Sequence, residues 1–112
     1  MLKMHIELDP DLKVVGENEI NTRPVDLTAT YRPDVVIVDF DMMGQSAGQA
    51  VEELHRAVPE IPVIATSLNI SDTTVTVAKE AGAIDFVAKQ ADSVDLIKAI
   101  RRGVEYFGPA AD

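Results

Sequence analysis

A carboxylate, a hydroxyl and an ammonium group each follow a short, mainly apolar run of this chain. The three pairs are Asp39 after Val35–Val38, Ser67 just beyond Ile61–Ala65, and Lys89 after Ile84–Ala88. Continuous Val and Ile residues are typical of strands that are buried on both faces of a parallel sheet. Ligands of such sheets bind beyond the carboxyl ends of the strands. We therefore expect the three polar side chains to meet at one sheet edge, where they could bind or react with a small molecule.

Asp39 taken alone has a second interpretation, in which its carboxylate only caps the strand or the following turn. A short apolar run is a weak signal, because a buried helix segment can show the same pattern. The second and third runs, with their own polar ends, favour the interpretation as a functional edge.

Strands and helices alternate along the sequence, an order that predicts an α/β fold with a parallel sheet and helices on both faces. The predicted strands are Leu12–Gly16 and the three runs above. The predicted helices are Thr22–Tyr31, one from Ser46 to Val58, one capped by Ser71 and ended by Gly82, and one opening at Asp92 or Ser93.

Capping residues and apolar stripes support these helices. Thr22 is the predicted N-cap of the first helix, with Pro24 tolerated in its first turn. Ser46 and Gln49 form an S-x-x-Q capping box for the second helix. Apolar residues at helical spacing give the predicted inner faces. These are Ala47, Ala50, Val51, Leu54 and Val58 in the second helix, Val75, Ala78 and Ala81 in the third, and Leu96, Ile97, Ile100 and Val104 in the last.

The composition is that of one globular domain. Hydrophobic residues make up 46% of the 112 residues and charged residues 26%, which are ordinary values for such a domain. The absence of cysteine excludes disulfides and thiolate metal sites. A net charge of −9 argues against direct binding of nucleic acid by this chain. With no apolar stretch long enough for a membrane span and no signal-peptide pattern, we expect a cytoplasmic protein without a membrane partner.

Three stretches of the sequence resemble the receiver domain of bacterial and archaeal two-component response regulators. They are PDVVIVDFDMMGQSAGQ, IPVIATS and AKEAGAIDFVAKQ. The resemblance covers about Asp9 to Pro109. The spacing of Asp39, Ser67 and Lys89 is similar to that in the branch of receivers that precede helix-turn-helix output domains. It implies a flavodoxin-like, doubly wound sheet in a single domain over residues 1–112, with residues 108–112 as a tail or the start of a linker. It also implies a signalling module and not an enzyme.

The resemblance assigns a role to each matched residue. Asp39 is the expected phosphoacceptor, which takes a phosphoryl group from a partner histidine kinase. Lys89 is expected to pair with Asp39 and then with the phosphoryl oxygens. Ser67 is expected to bind a phosphoryl oxygen and draw its loop inward, while Phe86 changes rotamer. Mg²⁺ is expected at Asp39 and the backbone carbonyl of Asp41.

The N-terminus departs from the family pattern. The text MLKMHIELDPDLKVVGE matches only the end of a first helix running into a second strand. The first strand, its acidic pair and most of the first helix are therefore expected to be missing, which predicts weak Mg²⁺ binding. Alternatively, the alternating segment Met1–Leu8 serves as an edge or swapped strand, and Asp9 and Asp11 replace the acidic pair. Asp9-Pro10-Asp11 is, however, typical of a turn.

Two other functions remain open at this point. A pseudo-receiver would have the same fold and act, unphosphorylated, as a protein-interaction or dimerisation module. A small flavodoxin-like domain would bind a small molecule at the edge formed by Asp39 and Lys89. Because a missing central strand leaves unpaired backbone groups, we also expect a homodimer or a domain-swapped oligomer. The Leu12–Gly16 strand or the N-terminal segment would contribute to its contact.

Overall fold

The computed structural model describes residues 9–16, 23–43, 46–68, 71–89 and 93–107. Within them, helices and strands alternate as the sequence predicts. The elements are α1 (Pro24–Tyr31), β1 (Val36–Asp39), α2 (Phe40–Met43), α3 (Ser46–Ala57), β2 (Val63–Ser67), α4 (Asp72–Ala81), β3 (Asp85–Ala88) and α5 (Ser93–Phe107). The predicted roles of Met1–Leu8 and of the tail at 108–112 fall outside the described residues.

The three strands form a parallel sheet in the order β1-β2-β3. Opposite β2, Asp39 is in register with Thr66 and Ala88 with Ser67. The strands therefore end at nearly the same level, which brings the residues at their carboxyl ends to one edge. This arrangement confirms the predicted α/β fold with a parallel sheet.

β2 lies between two apolar clusters because successive side chains of a strand point to opposite faces. Val63 and Ala65 belong to the cluster on one face of the sheet, together with Leu54 of α3. Ile64 belongs to the cluster on the other face, together with Leu96 of α5. All five residues of β2 are buried. Helices thus cover both faces of the sheet, as the continuous apolar run of β2 predicts.

The predicted strand at Leu12–Gly16 is wrong. The structure assigns no strand to residues 12–16, and the described sheet consists of β1, β2 and β3. Leu12 and Val14 instead pack against the Ile64 cluster, while Lys13 and Val15 are exposed. This alternation of inward and outward residues produces the same period-2 pattern as a strand, without a ladder to β1, β2 or β3.

Several element limits differ from the prediction. α1 begins at Pro24, and its N-cap is Arg23 without a side-chain capping bond, so the prediction of Thr22 as N-cap is wrong. Proline at the first helical position has its backbone angle preset for a helix, which explains the start. β1 is shifted by one residue and includes Asp39 itself. α3 begins at Ser46, one position earlier than an N-cap at Ser46 would place it.

The predicted ends of α4 are confirmed. The Oγ of Ser71 accepts a hydrogen bond from the backbone N–H of Thr74 at 3.3 Å. Gly82 ends the helix with φ at 122°, a conformation that side chains disfavour. A Cβ at Gly82 would also lie 2.6 Å from the ring of His55. Gly82 thus combines a helix stop with a close approach to α3.

The predicted inner face of α5 is also confirmed. Leu96 and Ile100 are buried, and Ile97 and Val104 are half-buried. None of the helices in the described part of the chain combines the length and apolar character that a membrane span requires.

Candidate functional site

Asp39, Ser67 and Lys89 lie together at the carboxyl edge of the sheet. The Nζ of Lys89 is 2.6 Å from Oδ2 of Asp39. The backbone N–H of Lys89 donates to the carbonyl oxygen of Ser67 at 2.9 Å, which ties the end of β3 to the end of β2. The side chains of Lys89 and Asp39 keep 27% and 20% of their surface exposed. The edge is therefore accessible and carries the three residues that the sequence predicts there.

The side chain of Asp41 is the member of this site that the sequence analysis missed. Its Oδ1 accepts a hydrogen bond from the hydroxyl of Ser67 at 2.8 Å, and its Oδ2 accepts one from the backbone N–H of Leu68 at 2.7 Å. The Nζ of Lys89 is 3.3 Å from the same Oδ2. The expectation for Asp41 concerned only its backbone carbonyl.

The short helix α2 places Asp41 in this position. It begins directly after Asp39, and the backbone N–H of Asp41 donates to Oδ1 of Asp39 at 2.9 Å. A carboxylate that accepts from a backbone N–H two residues ahead is a common local bond of Asp at turns. It fixes the turn between β1 and α2, and the Asp41 side chain then reaches the end of β2.

The local charges favour ionised side chains at this edge. The N–H of Leu68 is the main cause that lowers the pKa of Asp41, and the hydroxyl of Ser67 and the ammonium of Lys89 lower it further against some desolvation. The hydrogen bond to Asp39 is the main cause that raises the pKa of Lys89, and Asp41 adds to this. The ammonium of Lys89 thus lies beside the side chains of both Asp39 and Asp41.

Thr66 carries a second hydroxyl beside that of Ser67. The hydroxyl of Thr66 is buried and donates to the carbonyl of Val87 at 2.8 Å, so it serves the sheet and leaves Ser67 as the hydroxyl of the edge.

Phe86 is half-buried, and its ring meets that of Phe40 edge to face with centroids 6.4 Å apart. The predicted switch residue therefore touches the residue next to Asp39.

The alternative in which Asp9 and Asp11 replace the acidic pair is wrong. The guanidinium of Arg101 on α5 pairs with both carboxylates, at 2.5 Å from Asp9 and 3.4 Å from Asp11. The side chain of Asp9 also accepts the backbone N–H of Asp11, as a turn residue does. Neither residue joins Asp39 at the edge.

The donor set of the described residues does not fit a tight Mg²⁺ site. Mg²⁺ requires an octahedral shell of oxygen ligands. Asp39 and Asp41 are the carboxylates at this edge, and Lys89 is already paired with both. Across the described ranges, no group of three or more acidic or histidine side chains could hold a metal ion. The chemistry below is therefore derived from the side chains alone.

Comparison with known proteins shows the family of this chain. The family model of the response regulator receiver domain matches residues 1–101. The chain is 25% identical over 111 residues to the transcriptional regulatory protein DegU of Brevibacillus brevis, covering 96% of this chain and 47% of the relative. It is 31% identical over 101 residues to the response regulator GacA of Pseudomonas aeruginosa, covering 88% of this chain and 47% of the relative.

The fold of solved structures agrees. The response regulator domain of Thermotoga maritima CheB superimposes with a TM-score of 0.77 at 26% identity, covering 93% of this chain and 85% of that domain. The chain spans about half the length of the curated relatives described above. Together with the flavodoxin-like sheet and the edge formed by Asp39, Ser67 and Lys89, these matches show that the chain belongs to the response regulator receiver domain family.

Proposed function

We propose that this chain is a phosphoacceptor receiver that relays a histidine-kinase signal through Asp39. The observation that carries the proposal is the ion pair between Asp39 and Lys89, 2.6 Å apart, beside the hydroxyl of Ser67 at the end of the next strand. A carboxylate oxygen of Asp39 attacks the phosphorus of a phosphohistidine. The new P–O bond gives an acyl phosphate as the P–N bond breaks, and the leaving imidazole nitrogen takes up a proton.

Each neighbouring side chain has a part in this proposal. Lys89 offsets the negative charge that the phosphoryl oxygens bring to the edge, as a point-charge ammonium does well. Ser67 donates its hydroxyl to one of those oxygens and draws its loop toward Asp39. Phe86, in contact with Phe40, changes rotamer with the loop and passes the change to α5 as a shift in populations.

The wider setting is part of the same proposal. Relatives named as transcriptional regulators are about twice as long as the matched region, which supports an output domain outside this chain. The net charge of −9 supports the proposal that such an output domain, and not the receiver, makes any contact with DNA. We place the chain in the cytoplasm, as a signalling module without enzymatic activity of its own.

Weak Mg²⁺ binding also belongs to this proposal. Receiver domains use Mg²⁺ to neutralise the incoming phosphoryl group. Here Asp39 and the carbonyl of Asp41 are the proposed ligands. Lys89 pairs with the carboxylates of both Asp39 and Asp41, which supports a low affinity for Mg²⁺.

Self-association is a further component. Among the described strands, β1 lies at one edge of the sheet, and an edge strand can pair with another chain. We propose a dimer or swapped oligomer in which the N-terminal segment takes part. Sedimentation velocity over a wide concentration range tests it, and a folded monomer at every concentration contradicts it.

A pseudo-receiver is the second candidate, and Asp41 is the observation that favours it. Its carboxylate already engages Ser67, Leu68 and Lys89 in the unphosphorylated chain. In this alternative the fold acts as an interaction module without phosphate. Small-molecule binding by an unrelated flavodoxin-like domain loses its support, because the chain belongs to the receiver family.

Mass spectrometry separates the two candidates. The chain is incubated with a small acyl phosphodonor and Mg²⁺, and the modified peptide is mapped. We expect one phosphoryl group on Asp39 and none in Asp39→Asn, with Asp34→Asn as the control that loses an exposed carboxylate. A phosphoryl group on Asp41 or elsewhere rejects the assignment, and no modification under any condition favours the pseudo-receiver.

A further inference from the structure

Three hydrogen-bond donors converge on the carboxylate of Asp41. The hydroxyl of Ser67 and the backbone N–H of Leu68 bond its two oxygens at 2.8 and 2.7 Å. The ammonium of Lys89 lies 3.3 Å from the second oxygen. Ser67 ends β2, and Leu68 and Lys89 directly follow β2 and β3, whereas Asp41 belongs to α2 after β1. A hydroxyl, an amide and an ammonium that point to one place form a binding site for an anion.

We propose that Asp41 is the internal ligand of this anion site. Its two oxygens take positions that oxygens of a tetrahedral oxyanion would otherwise occupy, so the carboxylate leaves before such an anion binds. The inference rests on the proposed function in one respect, since a phosphoryl group on Asp39 is the anion expected there. The contacts of the three donors with the Asp41 carboxylate do not depend on phosphorylation of Asp39.

The Asp41 carboxylate and a phosphoryl group on Asp39 exclude each other, because the same donors and the same ammonium would have to serve both. Lys89 already serves both Asp39 and Asp41, and the backbone of Asp41 is bonded to the Asp39 carboxylate. A phosphoryl group on Asp39 adds about −1.5 to −2 of charge and three acceptor oxygens next to Asp41. One ammonium cannot offset that charge and a second carboxylate at the same place, because like charges at this distance repel.

This internal ligand changes how the site switches. The loop that begins at Ser67 and Leu68 is held toward Asp41 before any phosphoryl group arrives. Modification of Asp39 then exchanges one anion for another at the same donors. The incoming anion binds only those molecules in which Asp41 has left the donors. Its apparent affinity is therefore the intrinsic affinity multiplied by the fraction of such molecules.

Inorganic phosphate is the probe for this competition. It is titrated into the whole chain while the ¹H–¹⁵N amide signal of Leu68 is followed. Asp41→Ala removes the carboxylate from all three donors, whereas Asp41→Asn removes the charge and keeps an oxygen that can accept from one donor. Asp34→Asn is the matched control, because Asp34 is exposed and precedes β1 at the opposite end of that strand.

We expect half-saturation at about tenfold less phosphate in Asp41→Ala, the scale of one charge-assisted hydrogen bond. Asp41→Asn should lie between Asp41→Ala and the wild type, and Asp34→Asn should match the wild type. Without phosphate, hydrogen exchange of the Leu68 amide should accelerate in Asp41→Ala only. This second measurement detects the lost bond whether or not an anion is present.

The outcomes that overturn the inference are specific. Equal phosphate affinity in the wild type and Asp41→Ala, with unchanged Leu68 exchange, rejects an internal ligand. Equal gains in Asp41→Asn and Asp41→Ala attribute the effect to charge alone and reject competition for the donors.

Treatment with a phosphodonor separates this inference from the proposed function. Tighter phosphate binding by Asp41→Ala without modification of Asp39 in any variant rejects the phosphoacceptor and retains the internal ligand. Modification of Asp39 at the wild-type rate in Asp41→Ala, with unchanged phosphate binding, rejects the internal ligand and retains the phosphoacceptor.

Discussion

Lys89 and Asp39 form an ion pair across a strand that separates them. β2 lies between β1, which ends at Asp39, and β3, which Lys89 follows. Their side chains nevertheless meet, with Nζ 2.6 Å from Oδ2, above the end of β2. The pair therefore links the two outer strands of the described sheet at the edge where chemistry is proposed.

Replacing the ammonium should impair phosphoryl transfer. In Lys89→Met, the neighbouring carboxylates of Asp39 and Asp41 lose the cation between them, and incoming phosphoryl oxygens meet an uncompensated charge. We expect the rate of Asp39 modification by a small phosphodonor to fall about tenfold or more, the scale of a lost charge-assisted contact. Intact-mass kinetics measure the rate. Lys98→Met, an exposed change on α5, serves as control, and equal rates in both variants would contradict the role of Lys89.

Mg²⁺ should bind weakly to this chain. The Asp39 and Asp41 carboxylates are both engaged by Lys89, so the ion has to break those contacts before it binds. Titration of Mg²⁺ with beryllofluoride, followed by amide shifts near Asp39, measures the affinity, and Asp39→Asn gives the background. Saturation at the concentration typical of intact receivers would show that residues outside the described ranges complete the metal site.

Acid should release the turn at residues 9–11 from α5 at a pH below the ordinary Asp range. The pKa of Asp9 is lowered first by the N–H of Asp11 and then by Arg101. A lowered pKa in the folded chain means that the contact stabilises the fold above the unfolded pKa, about 4. That contribution is lost as the pH falls through the lower, folded value.

NMR titration of the Asp9 carboxyl in the wild type and in Arg101→Gln measures this shift. The midpoint should rise toward the ordinary value in Arg101→Gln and stay low in Arg102→Gln, since Arg102 pairs instead with Asp85. Identical midpoints in all three proteins would remove Arg101 as a cause of the shift.

Shortening the side chain of Ile64 in the central strand β2 should destabilise the whole domain. Ile64 is fully buried in the cluster that joins β2 to α5. Ile64→Ala removes apolar contacts and leaves a cavity, so we expect the free energy of unfolding to fall by about 2–5 kcal/mol. Urea unfolding measures the change. Val15→Ala, at a position 43% exposed, should cost far less. A similar loss in both variants would contradict the placement of the core.

The parts of the site that depend on strand ends could be predicted from the sequence. Asp39, Ser67 and Lys89 follow apolar runs, and parallel strands bring their carboxyl ends to one edge whatever the helices do. The side chain of Asp41 could not be predicted in the same way. Its position depends on a helical turn that starts at Phe40 and on the path of the β2 loop, which are tertiary features.

The errors have similar physical causes. Leu12 and Val14 alternate with exposed residues as a strand would, yet the alternation reflects packing on the sheet face and not pairing within it. Thr22 is a good capping residue by type, but the preset backbone of Pro24 begins α1 one residue later than a cap at Thr22 would. Local sequence patterns identified the element types better than their exact partners.

The bond between Asp9 and Arg101 imposes an order on events during protein synthesis. The two residues are 92 positions apart, so the segment that leaves the ribosome early finds its partner only when α5 has been made. At about 5–20 residues per second, this delay is roughly 5–20 s. Leu12 and Val14 pack against a cluster that includes Leu96, Ala99 and Ile100 of α5, so that cluster is complete only after α5 has been made. The Arg101 contact of the first described segment to be synthesised is therefore among the last to form, and until then its Asp9 carboxylate is open to chaperones or to another copy.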